Sequence, residues 1–297
     1  MKLFDLHCDT ALELEKGDFD LYGNDELHIS LKKASVFSEY RQVFAVWSEH
    51  RLSAEEAWER FLTVRDDFAK RLKTVDAPWF HPILGVEDSV ILNGKTERLD
   101  VLYESGVRVL TLGWADTNSV CGSWNTDEGL TDFGKETVRR CFELGILPDL
   151  SHASDRTFYD TAAIAKEVGK PVIASHSVCR ALRSHGRNMT DDMLKTLFGT
   201  GGVVGANLVC GFLTDKGLAS LEDVVRHMMH AYRLGGEDRV CLGCDLDGTG
   251  SLPGGMKGIG DLPMLYDAIC KFTHSERIAE KIFYSNARNF FSRWIHS

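Results

Sequence analysis

The stretch LFDLHCDT, residues 3–10, decides the fold and the first candidate site of this chain. Its first four residues read as a short buried strand that continues directly into His7 and Asp9. Side chains two positions apart on a strand point to the same side, so the imidazole and the carboxylate share one face. Such N and O donors at the end of a strand suit a divalent metal such as zinc. Taken alone, the same pattern also describes a strand that ends in a polar turn.

Seven further short apolar runs alternate with segments of helical length. The runs are QVFAVW (42–47), PILGVE (82–87), VRVLTL (107–112), ILPDLSH (146–152), PVIASH (171–176), GVVGANL (202–208) and VCLGCD (240–245). Continuous apolar runs are typical of parallel strands covered on both faces. The sequence therefore predicts a single-domain α/β protein, a (β/α)8 TIM-type barrel over residues 1–297, with a doubly wound open sheet as the structural alternative.

Helices are expected between these runs, at positions where apolar residues recur with helical spacing. The expected helices are 54–75, 91–105, 131–144, 155–168, 190–198, 221–234, 262–272 and 276–291. Ser53 is expected to cap the first of them. Residues 11–29 and 113–130 are expected to be loops, because they combine glycine and polar residues with little periodicity.

Composition excludes several classes of protein. A formal net charge of −10 without a basic cluster argues against a nucleic-acid surface. The chain contains no run of about 18 apolar residues that would span a membrane, and its first residues lack the apolar core of a signal peptide. The eight cysteines are dispersed along the chain and are expected to be free thiols in a reducing, cytoplasmic setting. The C-x-x-C of Cys241 and Cys244 lies on an apolar strand, where packed thiols are favoured over zinc ligands.

Five of the predicted strands end in residues that can bind a metal or carry a proton. These residues are His7, Asp9, Glu87, His152, His176 and Asp245. The carboxyl ends of barrel strands converge on one face, so we expect the six side chains to form one site. Three imidazoles with two or three carboxylates can hold two divalent ions, with Glu87 able to bridge them. A water between two ions loses its proton near neutral pH, and Asp245 beside it suits an acid/base role.

Among the other polar residues, one arginine has two possible roles and the histidines have one each. Arg187 follows the sixth predicted strand and could clamp a substrate carboxylate or form a surface salt bridge. His185 is expected to be a loop residue. Of the pair His227 and His230 a structural role is expected, because no acidic partner is at hand in the sequence. The remaining histidines are expected at the surface: His28, His50, His81, His274 and His296.

The motifs that carry these residues resemble the membrane (renal) dipeptidase family, the M19 metallopeptidases of the amidohydrolase superfamily. The motifs are FDLHCDT (4–10), GVEDS (85–89), VLTLGW (109–114), GLTDFG (129–134) with LGILPDLSHAS (144–154), PVIASHS (171–177), GRNMTDD (186–192) and LGCDLDG (242–248). They occur in the order of that family and cover nearly the whole chain. The C-terminal IFYSNARNFF (282–291) is similar to the terminal helix of the family.

The resemblance implies an amidohydrolase-like barrel with two Zn²⁺ ions that hydrolyses L-L or L-D dipeptides through a metal-bridging hydroxide. It implies that Glu87 bridges the ions and that Arg187 holds the C-terminal carboxylate of the dipeptide. Asp245 matches the aspartate that assists proton transfer. The implied ligands are His7 and Asp9 for the first ion and His152 and His176 for the second. Trp114 stands where the mammalian enzymes have a substrate-contacting histidine, so it is expected to line the substrate pocket instead.

Two other functions remain open at this stage. The same metal architecture serves hydrolases of another bond, in an N-acyl amino acid, a lactone or a phosphoester. The second alternative is a non-catalytic binding protein built on the same barrel, although the intact set of ligands argues against it. The expected partner is a small dipeptide, with no nucleic acid and no membrane, and a homodimer is possible on the resemblance.

Overall fold

The computed structural model describes residues 1–294 of the chain, so His296 lies outside the described residues. Its strands are β1 (Lys2–Cys8), β2 (Glu39–Trp47), β3 (Phe80–Glu87), β4 (Val107–Thr111), β5 (Leu147–Asp149), β6 (Val204–Ala206) and β7 (Val240–Leu242). They form one sheet in the order β5-β4-β3-β2-β1-β7-β6. Every pairing between neighbours is parallel.

Residues 173–174 close this sheet into a ring. Ile173 forms a parallel bridge to Asp149 at the end of β5, and Ala174 forms one to Val204 at the start of β6. The predicted TIM-type barrel is therefore confirmed, with one difference at the predicted sixth strand. That segment makes single bridges and no ladder, because the backbone amides of Ser175 and His176 are donated to side chains.

The helices cover the outside of the ring. The α-helices of the described residues are α1 (Thr10–Gly17), α2 (Leu31–Ala34), α3 (Ala54–Lys73), α4 (Glu97–Glu104), α5 (Asp132–Leu144), α6 (Asp155–Val168), α7 (Asp191–Gly199), α8 (Cys210–Leu213), α9 (Leu221–Ala231), α10 (Leu262–Thr273), α11 (Glu276–Glu280) and α12 (Asn286–Trp294). Shorter 3₁₀ segments are Ser89–Leu92, Pro253–Gly255 and Ile259–Asp261, and π segments are Tyr232–Gly236 and Lys281–Ser285.

The helix α3 shows how local sequence sets these boundaries. Ser53 caps it as predicted, since its hydroxyl accepts from the backbone amide of Glu56 while the Glu56 carboxylate accepts from the amide of Ser53. This reciprocal pair satisfies two amides that the first helical turn leaves without partners. Apolar residues at helical spacing, among them Phe61 and Phe68, then bury one face of the helix against the strands.

Three predicted boundaries were wrong. Residues 11–17, expected as the start of a loop, belong to α1 because Ala11, Leu12 and Leu14 pack into the core. The helix expected over 91–105 is divided into Ser89–Leu92 and α4, because Asn93 and Gly94 adopt left-handed backbone conformations. The last helix, expected over 276–291, is interrupted by the π segment Lys281–Ser285 between α11 and α12.

The two ends of the barrel differ in polarity. Side chains such as Phe4, Val43 and Val203 fill its interior together with Phe290 and Phe291 of α12. The rings of Phe4 and Phe291 lie 4.9 Å apart, so the C-terminal helix closes the end at which the strands begin. The carboxyl ends of the strands are left for polar residues. No helix within residues 1–294 has the length and apolar character needed to cross a membrane.

Candidate active site

The six sequence-predicted metal and acid/base residues meet at the carboxyl ends of the strands. The ligand atoms of Glu87, His152 and His176 lie within 4.8 Å of one another, and so do those of His7, Asp9 and Asp245. Glu87 stands between the two groups: its Oε1 lies 3.0 Å from Nε2 of His152, 3.4 Å from that of His176 and 3.7 Å from that of His7. We call His7, Asp9 and Asp245 the acidic half and His152 with His176 the imidazole half.

The backbone near these residues is held in uncommon conformations. His152 and Asp245 have left-handed φ values of 67° and 60°. Such residues cost roughly 1–3 kcal/mol each and persist where surrounding contacts determine them. The amide of Asp245 donates to the carbonyl of His7 (3.2 Å), and the amide of Asp9 donates to the carbonyl of Leu246 (3.0 Å). These bonds lock the end of β1 to the loop after β7, which brings the acidic half together.

Gly248 leaves the space that this half needs. A Cβ atom at that position would lie 2.2 Å from Oδ2 of Asp9 and 2.3 Å from Oδ1 of Asp245. Any larger residue would therefore displace one of the two carboxylates. The loop after β7 thus contributes both an acidic residue and the room beside it.

Hydrogen bonds fix the tautomers of the imidazole half. Nδ1 of His152 lies 3.1 Å from the carbonyl oxygen of Trp114, which only accepts, so Nδ1 carries the proton. Nδ1 of His176 lies 2.8 Å from the hydroxyl of Ser175. Both Nε2 atoms face the site and lie 2.9 Å apart. Two lone pairs directed at the same point are an arrangement that a cation satisfies.

Burial and neighbouring charges separate the two halves electrostatically. Burial, with help from Arg187 and the other histidines, holds the pKa of His152 and His176 well below the usual value, so both rings are neutral. Burial also lowers the pKa of His7, but the carboxylates of Glu87, Asp9 and Asp245 outweigh it and raise that pKa to about 10. Neutral imidazoles are direct metal ligands, whereas His7 must first lose a proton.

Two carboxyl groups of the site have pKa values above the ordinary values for their residue types. Burial raises the pKa of Glu87 well above its usual value, although His7 opposes the shift. Burial, opposed by His7 and supported by Asp9, raises the pKa of Asp245 to about 6. A carboxyl group that titrates near neutral pH is able both to accept and to donate a proton during a reaction.

The donor set fits divalent metal ions such as zinc. Nε2 of His7 and Oδ1 of Asp9 are buried without a hydrogen-bond partner among the described residues. Buried polar atoms of this kind are costly unless a ligand satisfies them. Histidine nitrogens and carboxylate oxygens are the ligands that zinc prefers, and two groups joined by one carboxylate fit two ions.

Arg187 is buried next to the imidazole half and does not lie at the surface, since its Nη2 donates to the carbonyl of His176 (3.4 Å). The residue is 5% exposed, and its Nε is buried without a hydrogen-bond partner within residues 1–294. Its guanidinium lies 5.3 Å from the ring centre of Phe212. Burial lowers its pKa to about 10, while Asp245 and Glu87 oppose that shift. The surface salt bridge considered for Arg187 is therefore excluded.

A cavity of about 280 Å³ opens above the ligands. One wall is aromatic, with the rings of Trp47 and Trp114 centred 4.8 Å apart. Phe212, Val209 and the carboxylate residues Glu13 and Asp247 also line it. The space is sufficient for a small molecule with both apolar and charged groups.

Several functional residues were not found by sequence reasoning. His185, expected to be a plain loop residue, accepts the backbone amide of Arg187 (3.1 Å) and packs between Trp124 and Phe212 with its ring tilted to both. The amide of Asp247 donates to Nδ1 of His28 (2.9 Å), which ties the loop after β7 to residues before α2. Trp124 and Phe212 are far from His185 in sequence, as His28 is from Asp247, so no local pattern shows these contacts.

The predictions for His227 and for the C-x-x-C cysteines hold, whereas His28 and His81, expected at the surface, are half-buried. His227 is 2% exposed and structural: its Nδ1 accepts the amide of Cys179 (3.0 Å) and its Nε2 donates to the carbonyl of Leu213 (3.0 Å). Cys241 and Cys244 are free, buried thiols. Both residues of the C-x-x-C pack in the interior, as the apolar strand predicted.

A parallel barrel with histidines and carboxylates gathered at the carboxyl ends of its strands is the architecture of metal-dependent hydrolases. The chain belongs to the membrane dipeptidase family, peptidase family M19, whose model matches residues 1–293. The resemblance seen in the motifs is therefore confirmed.

Individual relatives support this assignment. The chain is 36% identical over 196 residues to an uncharacterized dipeptidase of Schizosaccharomyces pombe, covering 63% of this chain and 46% of the relative. It is 30% identical over 212 residues to dipeptidase 3 of Macaca fascicularis, covering 69% of this chain and 43% of that protein. The chain thus spans less than half the length of these two relatives.

A solved structure shows the same fold over the whole chain. It is a metallo peptidase from Rhodobacter sphaeroides with a bound phosphinate mimic of the dipeptide L-Ala-D-Ala. The two share 23% identity with a TM-score of 0.90, and the match covers 99% of each chain. At this level of identity the comparison establishes the amidohydrolase-like barrel and not the substrate.

Proposed function

We propose that this protein is a zinc-dependent dipeptidase. The observation that carries the proposal is the proximity of two features: a ligand cluster in two halves, and a buried arginine that donates to the carbonyl of His176 and whose Nε has no partner among the described residues. A free carboxylate satisfies a buried guanidinium through charge-assisted, bidentate hydrogen bonds. A small substrate that ends in a carboxylate and carries a hydrolysable bond nearby fits both features.

The side chains of the site divide the work of holding two ions. His152 and His176 would hold one ion, His7 and Asp9 the other, and Glu87 both. When bound, two zinc ions supply an acidic water as nucleophile and polarise the carbonyl of the scissile bond. Asp245 would accept a proton from the water and deliver it to the leaving amine, and its raised pKa of about 6 supports this role.

The order of strands in the ring supports an orientation for the substrate. β2, which ends at Trp47, is separated from residues 173–174 by three strands in either direction around the closed sheet. Trp47 and the segment that leads to Arg187 therefore lie on opposite sides of the ring. With the C-terminal carboxylate on Arg187 and the scissile bond over Glu87, the N-terminal side chain would face Trp47 and Trp114.

This aromatic wall takes the place of the histidine expected from mammalian members of the family. Tryptophan packs against a substrate but cannot exchange protons at an imidazole, so acid/base work rests on Asp245. The proposal includes a single catalytic domain, and the eight unpaired cysteines support a reducing compartment such as the cytoplasm.

The test is hydrolysis of a panel of L-L and L-D dipeptides by zinc-loaded protein, with Glu87→Ala as the control. We expect release of free amino acids by the wild type and none by the variant, and the panel reports the preferred stereochemistry. A wild-type protein that holds two zinc ions and cleaves no dipeptide would overturn the proposal while leaving the metal centre intact.

A further inference from the structure

Asp149 is a buried carboxylate beside the metal ligands that the function proposed above does not use. It ends β5 and is 0% exposed. Its Oδ1 accepts the backbone amides of Ser151 (3.0 Å) and Ser175 (2.8 Å). Its Oδ2 accepts the hydroxyls of Thr111 (2.7 Å) and Ser175. The carboxylate of Asp149 on β5 therefore holds both neighbours of that strand, the end of β4 through Thr111 and the segment after residues 173–174 through Ser175.

Distance alone would admit Asp149 as a metal ligand, since its oxygens come within 4.8 Å of ligand atoms of His7 and His176. Its hydrogen bonds exclude that role. A carboxylate offers about four lone-pair positions, and four donors already occupy those of Asp149. An ion could bind there only after two or more of these bonds were broken.

The serine that Asp149 holds contacts a proposed ligand directly. Because the hydroxyl proton of Ser175 is donated to Asp149, its oxygen must accept from Nδ1–H of His176 (2.8 Å). The hydroxyl of Ser151, whose amide Asp149 also holds, accepts the backbone amide of His176 (2.9 Å). Both the ring and the backbone of His176 are thus oriented through contacts that end on one carboxylate.

We infer that Asp149 is a positioning residue of the metal centre: through the hydroxyl of Ser175 it fixes the proton of His176 on Nδ1 and leaves Nε2 free for the ion. The inference rests on the metal centre of the proposed function and not on its substrate. Outer partners of metal-bound histidines commonly change metal affinity by about 10–100-fold. His152 achieves the same tautomer through the backbone carbonyl of Trp114, so only His176 depends on a titratable side chain.

Asp149→Asn tests the direction of the hydrogen bonds. An asparagine of the same shape can still accept both amides, but its NH₂ group must donate to Ser175. The serine hydroxyl would then donate to Nδ1 of His176, and the ring proton would move to Nε2, where the ion binds. We expect zinc affinity, measured by competition with a chromophoric chelator, to fall on the order of 10–100-fold.

Thr111→Val is the matched control. Thr111 donates to the same Oδ2 (2.7 Å), and none of its side-chain hydrogen bonds reaches a predicted ligand. We expect its zinc affinity to remain within about threefold of the wild type. Nitrogen-15 NMR of the histidine rings in metal-free protein is the second readout: the wild type and Thr111→Val should show His176 protonated on Nδ1, and Asp149→Asn should show it on Nε2.

Three results would overturn the inference: unchanged zinc affinity in Asp149→Asn, an equal loss in Thr111→Val, or an unchanged His176 tautomer. If circular dichroism shows that Asp149→Asn is unfolded, Ser175→Ala replaces it, and a zinc affinity equal to the wild type then counts against the inference. Neither readout uses a dipeptide, so a protein that binds zinc normally but cleaves no dipeptide refutes only the proposed substrate.

Discussion

The imidazole half and the acidic half of the site contain the same residue type in opposite charge states. His176 and His7 are both buried, and their rings are only 3.8 Å apart. Yet the pKa of His176 lies well below the ordinary value and that of His7 is raised to about 10. His7 faces three carboxylates at 3.7–3.8 Å, whereas the ring of His176 faces one, that of Glu87 at 3.4 Å, and the ring of His152, and Arg187 donates to its backbone carbonyl. Burial lowers the pKa of both histidines, and only at His7 do the facing carboxylates outweigh it.

Because of this difference, the two proposed metal positions have different requirements for proton release when an ion binds. The imidazole half presents neutral nitrogens and can bind a cation without releasing a proton. The acidic half holds a proton among carboxylates, and an ion must displace it. Glu87 is the only predicted ligand whose carboxylate approaches both halves, which makes it the residue on which the comparison depends.

Glu87→Gln should remove the carboxylate shared by the two halves and cause the largest loss of bound zinc and of kcat. The amide keeps the shape of the side chain but removes the negative charge that faces all three histidines. We expect bound zinc to fall from two equivalents to one or fewer. Loss of a metal contribution worth several kcal/mol predicts a decrease in kcat on the order of a thousandfold or more. Metal analysis and dipeptide kinetics on the same samples check both expectations.

Glu13→Gln is the control for this experiment. Glu13 lines the same cavity, but it is partly exposed and pairs with Lys16 at 3.3 Å. It should retain two zinc ions and change kcat by less than about threefold. A Glu87→Gln protein that keeps two ions and full activity would remove Glu87 from the centre of the site.

Arg187→Ala should leave both halves intact and affect only the substrate. Removing one partner of a buried charge pair costs about 2–5 kcal/mol, so kcat/KM for dipeptides should fall by roughly 30- to 5000-fold. Dipeptide amides, which lack the carboxylate, should be cleaved by the variant and the wild type at similar, low rates. Zinc content should not change. An equal loss on amides, or undiminished hydrolysis of a phosphoester, would contradict the assignment of Arg187 to the carboxylate.

The sequence predicted the ring and the six residues at its mouth for a physical reason. Strand ends converge in a parallel barrel, so residues that follow apolar runs can be placed together without knowing any contact. Asp149 was read only as part of such a run. Its role depends on Thr111 and Ser175, which are 38 and 26 positions away. Likewise, the left-handed backbone of His152 and Asp245 has no local sequence signal, because neither residue type requires it.

The pH dependence of metal affinity should differ between the acidic half and the imidazole half. The pKa of His7 is raised to about 10, so His7 is protonated at pH 7 and an ion must displace that proton. Affinity at the acidic half should therefore rise by about tenfold per pH unit between pH 6 and 8. The imidazole half, with pKa values below the ordinary one, should show little change over this range.

Calorimetry in two buffers of different ionisation enthalpy measures the protons released. The wild type should release about one proton more at the acidic half than at the imidazole half. His7→Gln, which cannot hold the extra proton, should lose that difference. Equal proton release at both sites of the wild type would show that the two histidine environments do not differ in solution.

Trp114→Ala should have the smallest effect and test the wall beside the imidazole half. The backbone carbonyl of residue 114, and not the indole, accepts from Nδ1 of His152, so zinc affinity should be retained. The indole packs on Trp47, and its loss opens the cavity where the N-terminal side chain is proposed to lie. Dipeptides with a large apolar N-terminal residue should lose about tenfold in kcat/KM, and those with N-terminal glycine less than threefold.

The outcome of that substitution is read against Trp79→Ala, a partly buried tryptophan that precedes β3 at the opposite end of the barrel. Trp79→Ala should reduce thermal stability without altering the ratio between large and small substrates. A uniform loss on all dipeptides in Trp114→Ala, with zinc still bound, would mean that the indole supports the shape of the site and does not contact the substrate. A changed ratio would instead assign the side of the cavity opposite Arg187 to the N-terminal residue, because only a direct contact depends on the size of that side chain.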